Sequence, residues 1–219
     1  MGKEINLLKN YPVTNRNVDK RGLEKTEKNR EIARKFGKDF FDGDRKYGYG
    51  GLNYHPKYWS KVVDTFIDHW SLDENSSILD VGCAKGFMMY DFSEKLPKMN
   101  IQGIDISNYA IENCKEEIKN KVKVGNAKSL EFDDNSFDFV LSINTIHNLE
   151  IDECELAIKE IERVKRKGAY IVVDAYRNEF EKERLLAWVL TAKTILSVED
   201  WIKLFNKCGY TGDYFWFTP

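Results

Sequence analysis

An α/β fold, with a mostly parallel sheet covered by helices on both faces, follows from three observations in the sequence. The run Ile78-Leu79-Asp80-Val81-Gly82-Cys83-Ala84-Lys85-Gly86 reads as a buried strand breaking into a glycine turn. The next apolar segment, Asn100-Ile101-Gln102-Gly103-Ile104-Asp105-Ile106-Ser107, reads as a short strand ending at an acid. Beyond it, strand and helix patterns keep alternating to the carboxyl end, the signature of crossover connections between parallel strands.

Taken in order, residues 1 to 30 are polar and rich in Lys, Arg and Asn, with Tyr11-Pro12 as punctuation, and are expected to form an arm or a loosely packed lid. Residues 31–41 carry a weak helical period through Ile32, Phe36 and Phe40. A loop over 41–54 follows, in which Phe41, Tyr47, Tyr49 and Tyr54 alternate with Gly43, Gly48, Gly50 and Gly51. It has two readings: a lid over a ligand, or a satellite core on the sheet edge. Pro56 suits the first turn of a helix with Val62, Val63, Phe66, Ile67 and Trp70 inward. Ser107 is placed to cap a helix over 108–118. A third strand ends at Asn126-Ala127, and the apolar stretch ending Ser142-Ile143-Asn144 is the fourth. An amphipathic helix over 152–164 should stop at Lys165-Arg166-Lys167-Gly168, before a fifth strand over 169–176. A helix near 179–186, a strand over 188–196, a helix over 198–208 capped by Ser197 and a strand over 210–217 complete the set. An antiparallel element is expected near the carboxyl end.

With 219 residues, 42% of them hydrophobic, and a net charge of −2, the chain reads as one compact domain. Residues 1–70 form an arm, lid loop and helix packed on a core of residues 71–219. The charge argues against a general nucleic-acid or membrane-surface binder. No apolar run reaches about 18 residues and the amino end lacks an apolar signal core, so a cytoplasmic protein is expected. Cys83, Cys114, Cys154 and Cys208 are widely separated, which reads as reduced thiols and no metal site.

In an open α/β sheet the ligand crevice lies beyond the carboxyl ends of the strands. That rule nominates Gly82, Asp105, Asn126, Asn144 and Tyr176. Asp105 is placed either to accept both ribose hydroxyls of an adenosine or to lie at the surface before a helix cap. His147, just past the fourth strand, either lines a wall or accepts a proton. Asp174 interrupts an apolar strand, so it belongs to an acceptor pocket or to a salt bridge with a neighbouring helix.

Four segments, residues 78–86, 100–107, 122–127 and 132–144, resemble in order and spacing the motifs of the class I S-adenosylmethionine-dependent methyltransferases of small-molecule type. Two positions depart from the family pattern: Ala84 stands where a middle glycine is usual, and Asn126 where an acid is common. The resemblance implies a Rossmann-like sandwich that binds S-adenosyl-L-methionine and releases S-adenosyl-L-homocysteine. It implies cofactor contacts at Asp80, Gly82, Cys83, Ala84, Gly86, Asp105, Ile106, Asn126, Ala127, Ser142 and Asn144, with His147 facing donor and acceptor. Tyr47, Tyr49, Tyr54, Asp174 and Tyr176 become candidates for the lid or the acceptor. Ser142 and Asn144 replace the acidic cluster of metal-dependent catechol enzymes, and the motifs of DNA-amino and arginine methylation are absent. A small-molecule acceptor methylated on O or N, a sugar or an amine or hydroxyl metabolite, is the remaining expectation. A silent ligand-binding or partner protein on the same scaffold is the main alternative, fed by Ala84 and Asn126. An NAD(P)-dependent oxidoreductase fits less well, since G-x-G-x-x-G is absent. Oligomeric state is left open.

Overall fold

A computed structural model describes residues 2–12 and 18–219; positions 13–17 of the polar arm lie outside the described residues. Near the amino end lie α1 (Val18–Leu23), α2 (Glu27–Ala33) and α3 (Lys38–Asp42). The single helix expected over 31–41 is thus two, because Phe36 between them takes a left-handed φ of 48° that no continuous helix admits. Thr26 caps α2 by accepting from the Asn29 amide. The helix α4 (Pro56–Trp70) begins at Pro56 as expected and buries Val62, Val63 and Phe66.

Six strands lie side by side in one path through the sheet, every neighbouring pair parallel. They are β1 (Ser77–Val81), β2 (Asn100–Asp105), β3 (Val122–Val124), β4 (Phe137–Ile143), β5 (Lys165–Tyr176) and β6 (Leu196–Ser197), in spatial order β3-β2-β1-β4-β5-β6. Between them run α5 (Phe87–Lys95), α6 (Asn108–Glu112), α7 (Ile151–Val164) and α8 (Glu179–Trp188). After β6 come α9 (Val198–Lys207) and β7 (Asp213–Phe217), which pairs with β5 below β6 on the same edge. Alternating side chains divide the core. Leu79, Val81, Val173 and Trp201 pack on the α7 and α9 side, while Ile78, Phe66, Met89 and Tyr170 pack under α4 and α5.

The α/β class with a mostly parallel sheet is as predicted, and the departures have local causes. β7 runs parallel to β5, where an antiparallel element was expected, because α9 carries the chain back across the sheet before it pairs. The strand expected over 188–196 shrinks to Leu196–Ser197: the Lys193 and Thr194 amides are spent on the His147 carbonyl, and Val189 and Ala192 pack against Leu185. Lys165 to Gly168 belong to β5 rather than to a helix stop. Arg166 and Lys167 pair with Asp138, and a Cβ on Gly168 would come within 3.2 Å of Phe139, whose ring stacks on Trp70. The helix expected over 108–118 ends at Glu112, followed by a 3-10 turn over Glu116–Lys121.

Residues 3–7 of the arm are packed rather than loose, whereas Leu23, further along it, is 86% exposed. Leu7 is 2% exposed, and the Tyr170 hydroxyl accepts from the Leu7 amide and donates to the Ile5 carbonyl. Residues 3 and 5 bond Tyr214, covering the outer edge of β7.

Candidate functional site

The turn after β1 is held by left-handed backbone. Gly82, Ala84 and Gly86 have φ of 88°, 50° and 69°, and the Gly82 and Cys83 amides both donate to the Ile104 carbonyl. Ala84 therefore occupies a conformation that favours glycine, which explains why glycine is usual there. Its amide, turned by that φ, donates to Asp105 Oδ2 at 2.8 Å. A Cβ on Gly82 would lie 2.0 Å from Thr145 Oγ1, and one on Gly86 would lie 2.2 Å from Ile118 Cδ1. Both glycines serve close packing of the protein's own segments.

Two carboxylates meet at this turn. Asp105, at the end of β2, accepts from Ala84 and, through Oδ1, from the Ser107 amide; burial raises its pKa and these hydrogen bonds partly offset the rise. Ser107 also caps α6 as predicted, accepting from Ala110. Asp80, on the α5 side of β1, is 4% exposed and receives no hydrogen bond or ion pair from a described residue. Desolvation first, then the Asp105 charge, push its carboxyl up to about 7. Cys83 beside them is buried, and that burial raises its thiol well above the ordinary range. Next to Asp105, Ile106 leaves 56% of its surface exposed and Val124 44%, an apolar shelf at the carboxyl ends of β2 and β3. Asn126 accepts from the Lys128 amide in an Asx turn, with Ala127 half-buried beside it.

Across the sheet, Ser142 is fully buried and its hydroxyl has no hydrogen-bond partner among the described residues, while Asn144 turns the chain after β4 with φ 53°. His147 is 4% exposed in the 3-10 turn Ile146–Asn148. Its Nδ1 accepts from the Asp174 amide at 2.9 Å, so a neutral ring carries its proton on Nε2, 3.8 Å from Asp174 Oδ2. His147 and Asp174 are thus brought together at the ends of β4 and β5, and Tyr176 lies against the small cluster of Leu185, Val189 and Ala192.

The aromatic loop is built rather than slack. Tyr49 stacks on Phe41, Phe41 stacks on Tyr109, and the Tyr49, Gly51 and Leu52 amides donate to Phe40 and Phe41 carbonyls. Tyr54 donates to Asp91 Oδ1 at 2.6 Å and meets the edges of Phe87 and Tyr90, while Tyr47 closes a 3-10 turn under Lys46. Sequence reasoning missed Lys85, Asp42 and Tyr109. The visible signal was a lone lysine inside an otherwise apolar glycine turn.

Residues 79–173 match a family described as a methyltransferase domain. YrhH of Bacillus subtilis, whose name assigns it to the methyltransferases, is 28% identical over 56% of this chain and 70% of its own length. A demethylmenaquinone methyltransferase of Staphylococcus aureus is 31% identical over 53% of this chain. The chain spans only about half, 48%, of that relative's length. Among solved structures, a SAM-dependent methyltransferase from Methanosarcina mazei is 25% identical with a TM-score of 0.52, covering 65% of this chain and 82% of that one.

Proposed function

We propose that the chain, which matches a methyltransferase domain over residues 79–173, is a class I methyltransferase that binds S-adenosylmethionine at the Asp80 and Asp105 site and transfers the methyl group to an O or N atom of a small-molecule acceptor. The observation that carries the reading is Asp80. A carboxylate this buried, without a described partner and next to a second acid, is unfavourable unless positive charge arrives with a ligand. S-adenosylmethionine brings a sulfonium and an ammonium against one carboxylate, whereas a nicotinamide dinucleotide brings a pyrophosphate. The two acids therefore favour the methyl donor over the rival cofactor.

When bound, the cofactor supplies a methyl group on a sulfonium that already activates the leaving sulfur, so the protein's share is alignment. Asp105 keeps a lone pair on each oxygen for the ribose hydroxyls beyond the bonds from Ala84 and Ser107. Ile106 and the segment at Asn126 and Ala127 offer an apolar shelf and a short polar turn for the adenine. Asp80 faces the cationic end, and the unpartnered Ser142 hydroxyl and Asn144 stand at the end of β4. His147 and Asp174 offer a hydrogen-bonding pair that suits an alcohol or amine acceptor. With Nδ1 committed to the Asp174 amide, His147 orients the acceptor rather than receiving its proton.

Incubation with methyl-labelled S-adenosylmethionine and a metabolite extract, followed by mass spectrometry, tests the reading. A labelled small molecule together with S-adenosylhomocysteine is the expected result. Cofactor binding with no labelled product from any extract would favour a silent scaffold protein.

A further inference from the structure

Beside the carboxylate pair lies a second charged cluster whose members hold one another. Lys85 is the one buried lysine or arginine among the described residues. Its ammonium uses all three donors on the amino-terminal segment, reaching Asp42 Oδ1 at 2.8 Å, Asp42 Oδ2 at 2.7 Å and the Leu52 carbonyl at 3.0 Å. Asp42 also accepts from the Tyr109 hydroxyl at 2.7 Å and from the Leu52 amide at 3.1 Å. Burial raises the Asp42 pKa, but the bonds from Lys85, Tyr109 and Leu52 outweigh it and leave the carboxyl below its ordinary value. A further tie runs from Ser107 Oγ to the Phe36 carbonyl at 2.5 Å. Residues 36–52 are thereby fastened at three points to the two turns that carry the left-handed residues after β1 and the Asp105 loop.

An ammonium sequestered from water is costly unless it is paired, and removing one partner of a buried pair leaves the other uncompensated. Here the partners lie on different segments, one on the turn that would hold the cofactor and one on the segment beside it. Lys85 does not lower the pKa of Asp80 or Asp105; its charge acts on Asp42.

We propose that Lys85 and Asp42 are a positioning pair that couples the order of residues 36–54 to the cofactor-binding turn, so that cofactor affinity depends on a latch that does not touch the cofactor. The inference rests on the cofactor reading above. Asp42→Asn, Lys85→Met and the double variant test it, with S-adenosylhomocysteine affinity read by calorimetry and hydrogen exchange read across the chain with and without that ligand. Each single variant should weaken binding about tenfold or more and speed exchange selectively in residues 36–54. The double variant should be no worse than the poorer single one, as for two residues acting as a unit. If Lys85→Met does not fold, the near-isosteric Asp42→Asn carries the same comparison. Wild-type affinity in Asp42→Asn, or exchange that rises evenly through the sheet, would overturn the latch. Failure of the native protein to bind S-adenosylhomocysteine would overturn the cofactor reading instead. In that case unchanged exchange of residues 36–54 in ligand-free Asp42→Asn would still count against the latch.

Discussion

Asp80 is where the chemistry of a single side chain reaches furthest. A carboxyl held at about 7 in the folded chain and near the ordinary carboxylate value of about 3.9 when unfolded keeps a proton on folding that the unfolded chain has released. Its contribution to stability therefore falls as pH rises from about 4 to about 7 and is level above that. In Asp80→Asn this slope should vanish from a series of melts across that range, with the ligand-free variant more stable than the native protein at pH 8. A cationic ligand needs the ionised acid, so S-adenosylmethionine affinity should climb as pH rises through about 7 in the native protein and stay flat in the variant. Asp105→Ala should weaken the same binding by roughly 10- to 100-fold, since hydrogen bonds to charged groups contribute about 1.5–3 kcal/mol; unchanged affinity would remove Asp105 from the site. His147→Ala should cost about 1–3 kcal/mol of stability by removing the ring nitrogen that accepts from the Asp174 amide and should lower kcat without altering the shape of the pH–rate profile. A change in the shape of that profile would instead identify His147 as a base. Gly82, Asp105 and the Ser107 cap were legible because backbone geometry restricts which residues fit there. The Lys85 partnership was not, because Asp42 and Lys85 are brought together by packing and share no sequence period.

The edge strand β7 is guarded by chain from the opposite terminus. Ile5 and Lys3 bond Tyr214 on the side that β5 does not use, and Leu7 sits 2% exposed with its amide on Tyr170. Leu7→Ala should destabilise the protein by about 2–5 kcal/mol as a core truncation does, measured by denaturant melts. A change under about 0.5 kcal/mol, usual for surface sites, would show the segment to be a loose arm after all. Strands β1 and β4 were readable because largely apolar runs bounded by turn residues have few alternatives, and β2 because its short segment ends at an acid just before a helix cap. The direction of β7 and the shortness of β6 were not, since both depend on where α9 crosses and on the Lys193 and Thr194 amides being spent on His147. Neither contact leaves a trace in local propensity.

At the scale of the whole molecule, the parallel sheet gathers the ends of β1, β2, β4 and β5 at one rim and the amino-terminal helices and loop pack beside it. On one side of this rim stand two acids, Asp80 without a described partner and Asp105 with only backbone donors. The buried ammonium nearby is already neutralised by Asp42. No helix among the described residues is long and apolar enough to cross a membrane. On the proposed reading, the charge balance of the rim favours a sulfonium cofactor over a dinucleotide carrying a pyrophosphate on the same kind of fold. Calorimetric titration of the native protein at pH 8 with S-adenosylmethionine and, separately, with NAD tests it most directly. Saturable one-site binding of S-adenosylmethionine and none of NAD is expected; binding of NAD, or of neither, would contradict a sulfonium site at this rim.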